Sequence, residues 1–263
     1  MKRIHTFNSS DYKSKKCNFH SHTKRCQHAS GEEREYVEAA LEQGFEVIGF
    51  SDHSPYLFKN GFVSTIRMKM NELENYVDTI EKLKAEYKNG ITILSALEME
   101  YFPDIFEPTI HEIEQYPLDY MLLAQHFFPE EDHFISVRKD WTDEAHLNRY
   151  LSLLFEALDT GYFDLVAHPD ILGFVGDNSL YATYMDKLVQ RLKQEQMPVE
   201  INVNGFREKC NYPDERFIKI AAANGNDFII GVDAHHPEDY ADLASYQGCI
   251  RLAQKYAGSV FWY

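Results

Sequence analysis

No apolar run in this 263-residue chain approaches the roughly 20 residues that a membrane-spanning helix needs, so a membrane function is not expected. The opening stretch MKRIHTFNSSDYKSKK lacks the apolar centre of a secretory leader. Cysteine is scarce: Cys17, Cys26, Cys210 and Cys249 show no metal-type pairing and read as reduced thiols of a cytoplasmic protein. Positive charge is also short, with 26 Lys and Arg against 42 Asp and Glu, a net charge of −16. That balance excludes a general nucleic-acid binder, which needs a basic surface. The local basic charge of the first 25 residues reads as a solvated segment. There is no Gly-x-Ser-x-Gly elbow, no Walker loop and no dinucleotide glycine motif. No Pro/Gly/Ser linker divides the chain, so residues 1–263 read as one domain, with 1–16 an N-terminal extension outside the main pattern.

One pattern recurs instead. A short apolar run ends in a polar, often metal-capable residue and is followed by an amphipathic stretch. The runs are CNFHSH, EVIGFSDH, ITILSALEME, DYMLLAQH, FDLVAHPD, PVEINVN and DFIIGVDAH. Apolar almost throughout, they read as strands buried on both faces. The stretches between them have helical periodicity. One closes on Gly44, one on Gly90, and one opens on Thr142 as N-cap and closes on Gly161. Alternation of this kind implies an α/β protein with a parallel sheet. Seven strands without a nucleotide-binding glycine motif suggest a closed or nearly closed barrel, an open doubly wound sheet being the alternative.

The strand ends carry the chemistry. His20 and His22 end the first run, Asp52 and His53 the second, Glu98 the third, His126 the fourth, His168 the fifth, and Asp233 and His235 the seventh. Residues two apart on a strand share a face, and α/β barrels build their sites at the C-terminal ends of several strands. So many imidazoles and carboxylates exceed what one ion needs and suggest a multinuclear centre of Zn, Fe or Mn. His5, His111, His133, His146 and His236 are left as ordinary polar residues, His236 being the nearest to the pattern.

The order HSHT…H, GFSDHSP, LEMEY, AQHF, AHPD, EINVNGFRE and GVDAHHP resembles the polymerase-and-histidinol-phosphatase (PHP) superfamily, most of all its histidinol-phosphate phosphatase branch. The likeness runs from about residue 17 to about residue 240. It implies a distorted seven-stranded (β/α) barrel, TIM-like, holding three divalent ions. Carried over by position, His20, His22, Glu98 and Asp233 would hold one ion. Glu98 would bridge to a second, shared with His126 and His168. His28, His53 and His235 would hold the third. Glu98 is preferred to Glu100 on the pattern of a glutamate followed three residues later by an aromatic, here Tyr101, but both glutamates lie on one strand face. The chain departs from the family in Val232 before Asp233 and in AQHF at the fourth strand, and neither change removes a ligand.

The resemblance also implies an activity: hydrolysis of L-histidinol phosphate to L-histidinol and phosphate, a step of histidine biosynthesis. An alternative is the same chemistry on a nucleotide or a phosphotyrosine protein. The ions would attract a small phosphate monoester to an acidic protein and would lower the pKa of a water that attacks phosphorus in line. Asp233, then His235, are the candidates for moving protons, and Arg207 is the candidate phosphate ligand, with Lys209 close by. Glu200 or Asn202 would touch the substrate's amine or imidazole, and Tyr56, Phe58 and Phe62 would wall its pocket. Neither the native metal nor the oligomeric state is legible in the sequence.

Overall fold

A computed structural model describes residues 5, 7–129 and 134–261, so His133 lies outside the described residues. The chain runs β1 (Cys17–Asn18), α1 (Glu33–Glu42), β2 (Val47–Phe50), α2 (Leu73–Tyr87), β3 (Thr92–Met99), α3 (Pro103–Ile113) and β4 (Tyr120–Leu123). It continues through β5 (Phe127–Pro129), β6 (Phe134–Ser136), α4 (Glu144–Asp159), β7 (Leu165–Val166), α5 (Asn178–Gln194) and β8 (Val199–Asn202). It ends with α6 (Val203–Arg207), α7 (Glu215–Ala223), β9 (Asp227–Gly231), α8 (Leu243–Lys255) and β10 (Ser259–Val260). Each of the seven apolar runs contains a parallel strand.

Five of those strands form one parallel sheet in the order β1-β2-β3-β4-β7, and β8 and β9 form a second with β10 at its far edge. The two parts meet where a parallel bridge joins Ser21 to Ala234 and the His22 N–H donates to the Ala234 carbonyl at 2.8 Å. At the other seam, among the described residues, no backbone pairing joins β7 to β8. The His168 N–H donates instead to the Glu200 carboxylate at 3.0 Å. Backbone pairing therefore gives a curled parallel sheet in two parts, five strands and three, where the sequence suggested one seven-stranded barrel. The physical reason lies at the β7 seam: β7 is two residues long, and a side chain takes the place of the next ladder rung.

The strand period of two sorts the residues between two cores. Leu94 and Ala96, Tyr120 and Leu122, Leu165 and Ala167, and Ile229 point inward and pack together, closed from below by Phe7, Phe19 and Phe261. Their outward neighbours Ile93, Leu97, Met121, Leu123, Val166, Phe228 and Ile230 pack under the helices. Glu98 continues the inward series of β3, and Asp233 that of β9. The same alternation that fills the interior thus places carboxylates above it.

Several local expectations change. The helix expected to open on Thr142 is capped by Asp143, whose carboxylate accepts the His146 N–H. The helix expected to reach Gly90 ends at Tyr87, whereas Gly44 and Gly161 do take left-handed conformations just past their helices. The N-terminal segment is not simply solvated. Phe7 packs edge-on to Phe19 at 5.4 Å and against Tyr120 at 4.8 Å. Lys16 donates to the Gln43 carbonyl at 2.8 Å and lies over the Phe45 ring, while Lys13 pairs with Asp227 at 2.7 Å.

Gly49 marks the tightest approach in the sheet. A Cβ there would stand 2.1 Å from the Tyr120 hydroxyl, which donates to the Phe19 carbonyl at 2.5 Å. Gly49→Ala should therefore break that hydrogen bond and overpack the interior. The expected loss is about 1–3 kcal/mol, read as a lower midpoint in denaturant unfolding.

Candidate metal centre

The strand-end residues converge above the inner core. His20 and His22 lie just beyond β1, where Asn18 wires the strand end in place: its amide donates to the His20 carbonyl, the Ser21 hydroxyl and the Tyr240 hydroxyl at 2.7–3.1 Å. Its carbonyl oxygen accepts the His20 and Val232 N–H groups. His53 sits beyond β2 and pairs with Glu98 in a parallel bridge. Asp233 and His168 both take positive φ, +51° and +28°, a costly conformation for residues with a Cβ. Both are at the site, where such strain tends to concentrate.

Glu98 is at the centre. It is 1% exposed, and neither carboxylate oxygen receives a well-directed hydrogen bond. Five imidazole nitrogens surround it: His53 at 2.8 Å, His20 and His168 at 3.3 Å, His22 at 3.5 Å and His126 at 3.7 Å. Asp233 faces the same group, its Oδ1 standing 3.4 Å from His20 Nε2 and 3.2 Å from His22 Nε2. The Nε2 atoms of His20 and His22 are 3.1 Å apart. Two ligand atoms each about 2.0–2.1 Å from one tetrahedral ion stand about 3.3 Å apart. The spacing, the orphaned carboxylate and the nitrogen–oxygen donor set all fit divalent transition metals. Groups of histidine and carboxylate atoms lying within one ion's reach include His20, His22 and Glu98, then His20, His168 and Asp233, then His22, His53 and His235.

His28 joins this cluster from the loop before α1. Its Nε2 lies 3.1 Å from His235 Nε2. Each ring turns its Nδ1 to a backbone carbonyl, His28 to Cys26 at 2.8 Å and His235 to Asp233 at 3.1 Å. An Nδ1–H held in this way leaves the Nε2 lone pair free to bind a cation. His20 is held likewise by Glu200, 3.0 Å from its Nδ1.

Electrostatics favour the ligand forms. Burial, together with the charge of His235, brings the His22 pKa down to about 4, and the same two causes lower His28. Burial drives His53 well below the usual range. Burial also opposes ionisation of Glu98 and Asp233. The surrounding imidazoles outweigh it, and both carboxyls end well below the ordinary range. His20 goes the other way: burial disfavours its charge, but Asp233, Glu200 and Glu98 raise its pKa well above normal.

Not every expectation lands here. Asp52 accepts from the Thr23 N–H and hydroxyl at 2.8 and 3.1 Å, so its carboxylate holds a loop, and burial raises its pKa to about 7. Glu100 turns to the buried Arg67 and stands 3.3 Å from His126 Nδ1. Glu200 and Asn202, expected to touch substrate, are buried and occupied within the cluster. Asn202 donates to Glu200 at 2.9 Å and to Asp233 at 3.1 Å.

The cluster opens into a cleft of about 530 Å³. Arg207 lines it, as do Arg67 and Arg138, which nothing in the sequence pattern singled out; Lys209 does not. Its aromatic walls are Phe127 and Tyr212 rather than Tyr56, Phe58 and Phe62. Tyr56 is buried beneath Arg67, whose guanidinium lies 5.1 Å from its ring, and Phe58 packs on Phe62 and Phe134. His236, left aside in the sequence, also lines the cleft. His5 and His146 are elsewhere, paired with Asp164 and Asp143, and His111 lies on α3.

The PHP domain family matches residues 18–204. A protein of Deinococcus radiodurans described as a probable histidinol-phosphatase is 26% identical over 230 residues, covering 84% of this chain and 86% of its own. A second, from Schizosaccharomyces pombe, with the same description, is 25% identical over 250 residues, 83% of this chain and 80% of its own. Among solved structures, histidinol phosphate phosphatase from Lactococcus lactis, complexed with zinc, L-histidinol and phosphate, superposes with a TM-score of 0.73 at 20% identity. The match covers 94% of this chain and 95% of that one.

If Glu200 fixes the His20 tautomer, Glu200→Ala should weaken metal binding about 10–100-fold in a chelator competition while leaving the fold intact by circular dichroism.

Proposed function

This chain belongs to the PHP domain family, and from that premise we propose that it is a metal-dependent phosphomonoesterase that hydrolyses L-histidinol phosphate to L-histidinol and phosphate. The observation that carries the reading is Glu98, a buried carboxylate without a directed hydrogen bond, ringed by imidazoles beneath a cleft that holds three arginines. The description shared by the two curated relatives supports the choice of substrate.

Three divalent ions, Zn, Fe or Mn, complete the site in this reading. His20, His22, Glu98 and Asp233 would hold the first, Glu98 with His126 and His168 the second, and His28, His53 and His235 the third. Bound there, such ions supply a water that ionises near neutral pH and positive charge against the phosphate oxygens. The protein's own groups do the rest. Arg207 presents its guanidinium to a phosphate oxygen from the side of the cleft, preorganised by Asn204 at 2.8 Å. Asp233, held ionised by the surrounding imidazoles, is the first candidate to take up the proton released by the attacking water and pass it to the leaving oxygen. Its Oδ2 is kept in place by Asn202 at 3.1 Å and Asn204 at 3.4 Å, and His235 adjoins it. Phe127 and Tyr212 wall the part of the cleft that would take the substrate's ring. We read the seven core strands as one distorted (β/α)7 barrel, its last seam closed through Glu200 rather than through backbone pairing. The four free cysteines suit a reducing cytoplasm, and among the described residues no helix is long and apolar enough to cross a membrane.

Two outcomes are expected. Metal-loaded protein should release phosphate from L-histidinol phosphate in preference to p-nitrophenyl phosphate or a dinucleotide, and His22→Ala should reduce the rate by at least about 100-fold. Turnover of another ester alone would discard the substrate and keep the site. Chelation should lower the melting temperature, because ions that bind only the folded chain stabilise it. A melting temperature indifferent to chelator would contradict the metal reading.

A further inference from the structure

Arg207 and His235 come from different elements, yet one side chain holds both. Asp239 lies in the short turn Pro237–Ala241 that follows β9. Its Oδ2 accepts the His235 N–H at 2.8 Å and the His236 N–H at 2.9 Å. Its Oδ1 stands 3.0 Å from Arg207 Nη1, an ion pair without a directed hydrogen bond. The same turn is zipped to the loop that carries His28: the Ser30 N–H donates to the His235 carbonyl at 2.9 Å, and the Ser30 hydroxyl meets His236 Nδ1 at 2.8 Å. Gly31 lies close beneath this zip, where a Cβ would press on Pro237 at 2.7 Å. A carboxylate suits the junction for a simple reason. It has two oxygens and no donor, so one oxygen can take two adjacent N–H groups while the other takes a guanidinium.

We propose that Asp239 is a positioning residue for phosphate recognition, fixing the guanidinium of Arg207 in register with the His28–His235 pair. Without Asp239, Arg207 on the short helix α6 would keep only Asn204, at 2.8 Å from its Nη2, against the pull of Glu208, 3.4 Å from its Nε on the solvent side. Asp239 sets the distance between the arm that grips the phosphate and the imidazoles that hold the charge beneath it. This rests on the reading of Arg207 as phosphate ligand and His235 as metal ligand. The competing account is that Asp239 quenches the charge of Arg207 and that phosphate must displace it.

Asp239→Asn separates the two halves of the junction. The amide keeps an oxygen for the two N–H groups and loses the ion pair, whereas Asp239→Ala loses both. Inorganic phosphate is titrated calorimetrically into the metal-loaded full chain, and bound metal is counted by atomic emission, for wild type, D239N, D239A, R207A and the D239N/R207A double variant. Expected is a D239N protein with unchanged metal content and phosphate affinity about 10–100-fold weaker. D239N should cost nothing further once Arg207 is gone, and D239A should in addition bind one metal equivalent fewer. Phosphate affinity unchanged in D239N would reduce Asp239 to a turn cap, and tighter binding would establish the quenching account; either overturns the proposal. The substrate assignment fails separately: a wild type that shows this whole pattern but leaves L-histidinol phosphate intact would discard the substrate and keep the role of Asp239.

Discussion

A carboxylate removed from water and given no directed hydrogen bond is among the costliest groups a fold can carry. Glu98 is such a group, and much of the structure serves to hold it. Its strand β3 is the longest in the described chain, and it pairs on both sides, with β2 and β4. Imidazoles approach Glu98 from the ends of β1, β2, β4 and β7. Two of the rings near it, His22 and His53, are driven toward neutrality by burial, so those two do not neutralise it as ion-pair partners would. A neutral nitrogen and an ionised oxygen 3–4 Å apart gain little from each other and much from a shared cation.

That constraint explains the long reach of the supporting contacts. Asn18 ties the end of β1 to β9, Glu200 closes the seam between β7 and β8 while fixing His20, and Asp239 joins the turn after β9 to α6. Gly231 belongs to the same arrangement, since a Cβ there would stand 2.3 Å from the Glu200 carboxylate. Each such residue spends its hydrogen bonds on a candidate ligand or on the backbone beside one, the arrangement by which metal sites hold the geometry of their first ligands. The acidity of the whole chain is consistent with this. In the proposed reading a phosphate would be drawn by the local charge of the ion-loaded centre and its arginines, while the net charge of −16 acts from farther away.

The ligand candidates were legible because strand periodicity is strict. Residues two apart share a face, which put His20 with His22 and Asp233 with His235; it put Glu98 with Glu100 as well, so the choice of Glu98, like the inclusion of His28, rested on the resemblance to the PHP superfamily. The parallel pairing of the seven strands followed from the alternation of apolar runs with amphipathic stretches. The rest depended on partners distant in sequence. Glu200 sits in an unremarkable apolar run and meets His20 across 180 positions. Asp239 gains its meaning only when α6 brings Arg207 beside it. Arg67 and Arg138 reach the cleft from loops, where no period applies. The seam at β7 was illegible for the same reason: a side chain replaces a backbone rung there, and apolar patterning carries no sign of that. The N-terminal segment misled because its lysines stand among the aromatics, Phe7 and Tyr12, that plug the interior.

The most direct test of the central claim is anomalous diffraction from crystals of the metal-loaded protein, collected on either side of the metal's absorption edge. The account predicts strong peaks within coordination distance of Glu98, one shared with His20, His22 and Asp233 and another with His126 and His168. A third should lie between His28, His53 and His235. A loaded protein with no anomalous density at Glu98, its carboxylate still buried among the imidazoles, would contradict it.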